Sequence, residues 1–316
     1  MSEAPIIAVV GATGAQGGGL ARAILGDSQE AFRVRAITRN ARSEKAGALA
    51  TAGAQVVEAD LDDLESLKRA FEGAYGAFCV TNFWEHFSPE RELAQARNMA
   101  EAARVTGVRH AVWSTLEDTR KWVPADDVSM PILMGKYRVP HFDAKGEADS
   151  EFQSRGVPTT YLLTSFYWDN LIHFGMAPRR GPDGVAVFGL PMGEKPLPGI
   201  ASEDIGKCAL GILKRGEEYV GRRVGIAGEH LTGEQMASAL TEALGEEVRY
   251  MDLEPDAYRG LGFPGAEDLG NMFQVKRDYN ELFCGARSVE ESRMLNPELQ
   301  SFAQWLSRNR DRIAIG

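Results

Sequence analysis

The chain is short of cysteine, has no excess of positive charge and contains no long apolar run. Each shortage closes off a class of function. The three cysteines, Cys79, Cys208 and Cys284, are odd in number and not paired at metal-ligand spacing. That fits a reducing compartment and argues against disulfides or zinc, so no metal site is expected. Lys and Arg number 35 against 45 Asp and Glu, a formal net charge of −10. A nonspecific hold on nucleic acid rests on clustered basic residues, so direct nucleic-acid binding is not expected. Arg308, Arg310 and Arg312 alternate with Asn and Asp and read as a solvated helix end. No apolar run approaches the ~20 residues of a membrane-spanning helix. Met1-Ser2-Glu3-Ala4-Pro5 lacks the basic n-region of a signal peptide. The expectation is a cytoplasmic protein, with the nucleus as a second compartment, and no membrane partner. No repeat or low-complexity tract occurs.

What is present is an ordinary globular composition, 44% apolar and 25% charged, over 316 residues. That length suits one large or two unequal domains. The most informative stretch is Ile6 to Gly17, I-I-A-V-V-G-A-T-G-A-Q-G. An apolar β-branched run stops at Gly11, and a helical segment follows from Gly19 to Leu25. A strand, a glycine-rich turn and a helix in that order form the dinucleotide-binding arrangement. Gly11 allows the tight turn, Gly14 lets backbone approach a pyrophosphate, and Gly17 lets helix and strand pack closely. The free N–H groups of the new helix then face an anion. Thr13, Ala15 and Gln16 complete the expected cofactor loop.

Later strands supply the rest of the expected crevice, because ligands bind outside the carboxyl ends of such strands. The strand Phe32 to Thr38 ends at Arg39, with Asn40 and Arg42 behind it. An acidic residue there would suit a ribose 2′-OH, whereas a basic one suits a 2′-phosphate. Arg39 and Arg42 therefore point to NADP(H). Gln55 to Ala59 ends in Asp60-Leu61-Asp62, expected near the adenine edge. Tyr75 to Val80 ends in Thr81-Asn82-Phe83, and His110 to Trp113 ends in Ser114-Thr115.

Strand-like and helix-like segments alternate through Val157 to Leu163, which implies a parallel sheet with right-handed crossovers. A helix is expected from about Pro89 to Val105, stopped at Gly107. Gly181 to Gly199 is rich in Gly and Pro and reads as turns and short strands. Ala201 to Gly206 reads as a capped helix start, with Ser202 or Asp204 near the cap. Thr232 and Gln235 are spaced as a capping box, and Asp256 to Ile313 reads as mainly helical. The predicted fold class is α/β, a Rossmann doubly wound parallel sheet with a smaller α+β C-terminal domain. Residues 1–165 are assigned to the nucleotide domain, with a segment near 200–228 returning to it, and 166–316 to the smaller substrate or partner domain.

The stretches GATGAQGG (Gly11–Gly18), VRAITRN (Val34–Asn40), VTNFWE (Val80–Glu85), HFDAKGE (His141–Glu147) and GFPGAEDLGNMF (Gly262–Phe273) resemble the NmrA-like family of atypical short-chain dehydrogenases. The likeness spans nearly the whole chain and is closest to the NADPH redox-sensor branch typified by a human member. The last two stretches are the more specific. Short-chain dehydrogenases commonly reduce carbonyls with a Ser, a Tyr and a Lys four residues after the Tyr. Here Lys145 has His141 four residues before it, on one helix face, and Ser114 stands at the strand end. The resulting constellation is Ser114, His141 and Lys145. His141 is read either as a proton donor or as a polar residue at a helix start, and Lys145 as a ribose or nicotinamide contact.

The resemblance further implies that Tyr167 to Asn170 contact cofactor or substrate, Tyr167 and Asn170 foremost. It implies a redox sensor responding to the NADPH/NADP ratio, with a regulatory protein partner or a homodimer. The alternative is an NADPH-dependent reductase of a quinone, enone or other small carbonyl. Two departures stand out. Ala94 replaces a lysine of the sensor branch, and Glu117 to Val139 is longer than the family's loop. That segment reads as a lid or an exposed insertion. Its polarity and prolines predict low stability without a ligand, so the cofactor is expected to order it together with Phe166 to Leu171.

Overall fold

The structure is a computed structural model and describes residues 3–316. The first half alternates strand and helix: β1 (Ile6–Val9), α1 (Ala15–Leu25), β2 (Arg33–Thr38), α2 (Glu44–Thr51), β3 (Gln55–Glu58), α3 (Leu64–Phe71), β4 (Gly76–Cys79), α4 (Pro89–Thr106), β5 (His110–Thr115), α5 (Pro140–Ser154) and β6 (Thr159–Leu163). Next come β7 (Phe166–Tyr167), α6 (Asn170–His173), β8 (Arg179–Arg180), β9 (Ala186–Leu190), β10 (Leu197–Ile200), α7 (Ser202–Arg215), β11 (Arg223–Gly225) and β12 (Glu229–Leu231). The chain closes with α8 (Gly233–Leu244), β13 (Val248–Asp252), α9 (Pro255–Arg259), α10 (Ala266–Asp278), α11 (Asn280–Gly285), α12 (Val289–Leu295) and α13 (Phe302–Asn309).

Seven strands form one parallel sheet in the order β11-β6-β5-β4-β1-β2-β3. This is the doubly wound arrangement expected from the sequence, with its switch point between β1 and β4. Alternation along β1 sorts the two faces. Ile7 and Val9 join α1, α2 and α7 in one core cluster, while Ala8 and Val10 join α3, α4 and α5 in the other. Two three-stranded sheets, β12-β10-β7 and β13-β9-β8, pack with α8, α10 and α13 around a third cluster centred on Trp168, Phe188, Phe273 and Trp305.

The helices begin and end where the capping residues dictate. Ser88 caps α4 ahead of Pro89, and Gly107 ends it in the left-handed region at φ +71°. The Thr232–Gln235 capping box opens α8. Helix α7 starts where expected, but neither residue near its cap supplies the cap bond. Ala201 holds the cap position without a side-chain bond, and Ser202 is already helical. Asp204 turns inward, where it accepts from Asn296 Nδ2 (3.0 Å) and Gln300 N (2.9 Å) and anchors the C-terminal chain.

Helix α7 packs directly on α1. A Cβ on Gly206 would collide with the backbone of Leu20, and one on Gly19 would lie 3.2 Å from Glu203 O. The contact buries Leu20, Ile24, Ile205, Cys208 and Ile212, at about 1.5–3 kcal/mol for each fully buried large aliphatic side chain.

Candidate functional site

Gly11 turns the chain at φ +63°, in the left-handed region that glycine tolerates best. Gly14 is the N-cap of α1 and makes no side-chain cap bond, so the first amides of the helix are left for another acceptor. At Gly17 a Cβ would strike the carbonyl oxygen of Val10 and lie 2.5 Å from that of Gly11. The loop is thus a backbone cradle that side chains would fill. Thr13 is half-buried and Ala15 exposed beside it.

Gln16 leaves this loop and joins two elements. Its Oε1 accepts from Ser114 Oγ on β5 (2.7 Å), and its Nε2 donates to the Tyr167 phenol on β7 (2.6 Å). Burial pushes the Tyr167 hydroxyl up to about 12. Tyr167 therefore stays protonated through neutrality, within this chain of hydrogen bonds.

Lys145 stands in a second cluster. Its Nζ lies 2.7 Å from Glu92 Oε1 and donates to Thr81 Oγ1 (2.5 Å) and Thr81 O (3.2 Å). Thr81 Oγ1 in turn donates to Glu92. Glu92 is fully buried. Burial raises its carboxyl, but Lys145, His86 and Thr81 together hold it down at about 2. His86 Nδ1 accepts from Ser88 N (3.0 Å), which places a ring proton on Nε2, 3.4 Å from Glu92 Oε2. Thr81 was expected to line the cofactor crevice, yet its hydroxyl is committed to this cluster. Asn82 is exposed and Phe83 is buried.

His141 faces elsewhere. Its Nδ1 lies 2.6 Å from Asp268 Oδ1, and its backbone N donates to Asp268 Oδ2 (3.2 Å). An ionised carboxylate only accepts, so Nδ1 carries the proton and Nε2 is left without a partner among the described residues. Trp84 packs on the imidazole with ring centroids 4.7 Å apart. Ser114, His141 and Lys145 therefore belong to three separate hydrogen-bonded groups. Sequence reasoning missed Glu92 and Asp268. Glu92 lies on the same buried stripe of α4 as Gln95, Ala96 and Met99, and a carboxylate on such a stripe is a signal for a paired charge. Ala94 is exposed.

Beyond the end of β2, the Arg39 guanidinium is bound bidentately by Glu85, Nη1 to Oε2 at 2.8 Å and Nη2 to Oε1 at 2.6 Å. Asn40 Oδ1 accepts from Arg42 N (3.0 Å), which leaves Arg42 exposed beyond it. Asp60 is exposed, accepts from Asp62 N (2.9 Å), and precedes half-buried Leu61.

The long segment 117–139 is tied to α5 and α10 by buried hydrogen bonds. The Asp143 carboxylate on α5 accepts from Thr119 N and Oγ1 (2.7 Å each), Arg138 N (2.8 Å) and Val139 N (3.1 Å). Asn271 Nδ2 on α10 donates to Pro131 O and Arg138 O. Phe166, Trp168 and Leu171 are buried, with Trp168 seated on Gly199 and Gly228. Asn170 opens α6 half-buried. The reason is partner supply: the polar groups of both segments find acceptors and donors in α5, α10 and β10.

A parallel sheet with a side-chain-free turn after its first strand, an uncapped helix N-terminus and an arginine after the second strand fits a dinucleotide, and defines a Rossmann-type binding protein. The chain belongs to the NmrA-like family, whose profile matches residues 3–306. It is 30% identical over 287 residues to the NmrA-like family domain-containing oxidoreductase FrzB of Cladobotryum sp, covering 85% of this chain and 82% of that one. Among solved structures it resembles NmrA, a negative transcriptional regulator, in complex with NADP (TM-score 0.78, 23% identity, 97% and 95% of the two chains). It also resembles the Citrobacter sp. triphenylmethane reductase complexed with NADP(H) (TM-score 0.71, 18% identity, 97% and 99%). At these identities the structural likeness shows the fold alone. No helix among the described residues is long and apolar enough to cross a membrane.

Proposed function

We propose that this chain is an NADP(H)-binding regulator whose conformation or partner binding follows the NADPH/NADP ratio in the cytoplasm and nucleus. In this reading Gly11 to Gly17 hold the pyrophosphate, and Arg39 with Asn40 and Arg42 receives the 2′-phosphate. Asp60 and Leu61 border the adenine. Thr81 to Phe83, Lys145, Tyr167 and Asn170 border the nicotinamide half. The partner is a regulatory protein or a second copy of the chain. Residues 1–165, joined by 200–228, make the nucleotide unit, and the remainder makes the partner unit.

The observation that carries the regulatory reading is the Lys145–Glu92 pair. A lysine that assists carbonyl reduction works through its positive charge, which lowers the pKa of a neighbouring donor. Here that charge is balanced 2.7 Å away by a fully buried carboxylate, and no tyrosine stands four residues earlier. The test is NADPH consumption against quinones and enones. Tight NADPH binding with no turnover above background supports the regulator. Substrate-dependent oxidation at ordinary enzyme rates overturns it.

A second reading, an NADPH-dependent reductase of a quinone, enone or small carbonyl, is favoured by one observation. Asp268 orients His141 so that Nε2 is free, the arrangement of an oriented acid or base. NADPH would supply the hydride, and His141, when protonated on Nε2 as well as Nδ1, would give the Nε2 proton to the reduced oxygen and be left neutral.

A further inference from the structure

We infer that Glu85 is a built-in competitor for the 2′-phosphate and that its ion pair with Arg39 straps the dinucleotide crevice. This rests on the reading of Arg39 as the 2′-phosphate residue. The sheet order places β4 and β2 on either side of β1. Arg39 follows β2, and Glu85 lies in the turn after β4. Their bidentate contact therefore runs across the carboxyl end of β1, above the Gly11–Gly14 cradle. Both side chains are well exposed, 61% and 42%, so the pair is weak and exchangeable. A phosphate offers the guanidinium the same fork geometry with more charge. NADP(H) exchanges one anionic partner of Arg39 for another, whereas NAD(H) brings no replacement and leaves Glu85 in place.

The exchange has somewhere to go. Glu85 ends the turn Phe83–Trp84–Glu85. Its neighbour Trp84 packs on His141 and on the Gly265 turn that opens α10, where a Cβ would lie 2.8 Å from Trp84 Cζ3. His141 is bound in turn to Asp268, near the start of α10. Release of Glu85 thus frees a turn that touches the second half of the chain directly at Gly265 and, through His141, at Asp268. A ligand can move such an element only through contacts that differ between its states, and the 2′-phosphate supplies that difference.

The experiment is calorimetric titration of Glu85→Gln and Glu85→Ala with NADPH and NADH, paired with hydrogen exchange. Removing an exposed competitor should tighten NADPH by about two- to fivefold and leave NADH unchanged. In the parent protein NADP+, but not NAD+, should raise exchange over residues 83–87 and alter it over 262–268. In the Glu85 variants residues 83–87 should exchange fast before any cofactor is added. Unchanged or weakened NADPH binding, or an equal gain for NADH, overturns the proposal. Arg39→Ala separates the two possible failures. If that variant keeps full NADPH affinity, the 2′-phosphate assignment itself is wrong. If it loses NADPH while the Glu85 variants gain nothing, only the strap is wrong.

Discussion

Lys145 Nζ sits 2.7 Å from Glu92 Oε1, and both side chains are buried, the carboxylate completely. Removing one member of such a pair strands the other charge in the interior, at a cost of about 3–5 kcal/mol. Glu92→Leu should therefore lower the midpoint of urea unfolding strongly, and Glu92→Leu/Lys145→Met should recover most of the loss. A double variant as unstable as the single one would show that the two side chains act separately. The pair also has a pH signature. The Glu92 carboxyl is held at about 2, below its ordinary 4.5. Its contribution is complete above about 4.5 and is lost as pH falls towards about 2.

Arg39→Ala should weaken NADPH and leave NADH nearly untouched. A charge-assisted contact to phosphate is worth about 1.5–3 kcal/mol, roughly tenfold or more in affinity. Equal losses for both cofactors in calorimetric titration would contradict the assignment.

Gly14 and Gly17 should respond differently to valine. Gly14 is exposed, at φ −92°, with only Gly11 O near a Cβ at 3.2 Å. Gly14→Val should keep its thermal midpoint and lose NADPH binding, measured by cofactor fluorescence. Gly17→Val drives a side chain into the carbonyls of Val10 and Gly11 and should lose stability as well. If Gly14→Val still binds NADPH tightly, this loop is not the pyrophosphate cradle.

Lys276 gives a pH dependence of the same sense as Glu92, in a higher window. Burial drives its amine down to about 7, aided by Arg287 and opposed by Glu117. The rings of Phe142, Phe273 and Phe283 surround it at 5.2–5.4 Å. Between about 7 and the ordinary 10.5 the unfolded chain holds a proton that the folded one lacks, so stability rises with pH across that window. Lys276→Met should stabilise the protein by a few kcal/mol near pH 7, with the gain fading towards pH 10. Denaturant titrations at several pH values would show it, and a pH-independent difference would refute it.

On any substrate found, His141→Phe should cost less than tenfold in kcat if the chain is a regulator. A loss of ~10²-fold or more, the scale of general acid catalysis, with cofactor affinity unchanged would favour the reductase.

The doubly wound sheet was legible because its signals are local. The apolar run of β1, the glycines behind it, Pro89 and Gly107 around α4, and the Thr232–Gln235 box each act within a few residues. The pairings of the site were not legible. His141 and Asp268 are 127 positions apart, and Glu117 and Arg287, bound bidentately in the core, are 170 apart. No periodicity links such residues; only the completed fold does. Glu92 was the intermediate case, with its burial encoded in the stripe of α4 and its partner encoded nowhere nearby. The anchors of the 117–139 segment were hidden for a related reason. Its polar composition suggested solvent, but those groups are spent on Asp143 and Asn271.

The contact of α7 with α1 sets a schedule for biosynthesis. Gly206 abuts Leu20, and β11 completes the sheet beside β6. The helix that begins at the glycine cradle thus lacks its outer cover until Arg215 has been made, and the outer side of β6 stays unpaired until Gly225. A nascent chain paused near residue 165 would present a bare helix face and an unpaired strand, both invitations to aggregate. The cradle at the N-terminus is among the first segments synthesised, but it can become firm only after the chain has grown past its two-thirds point.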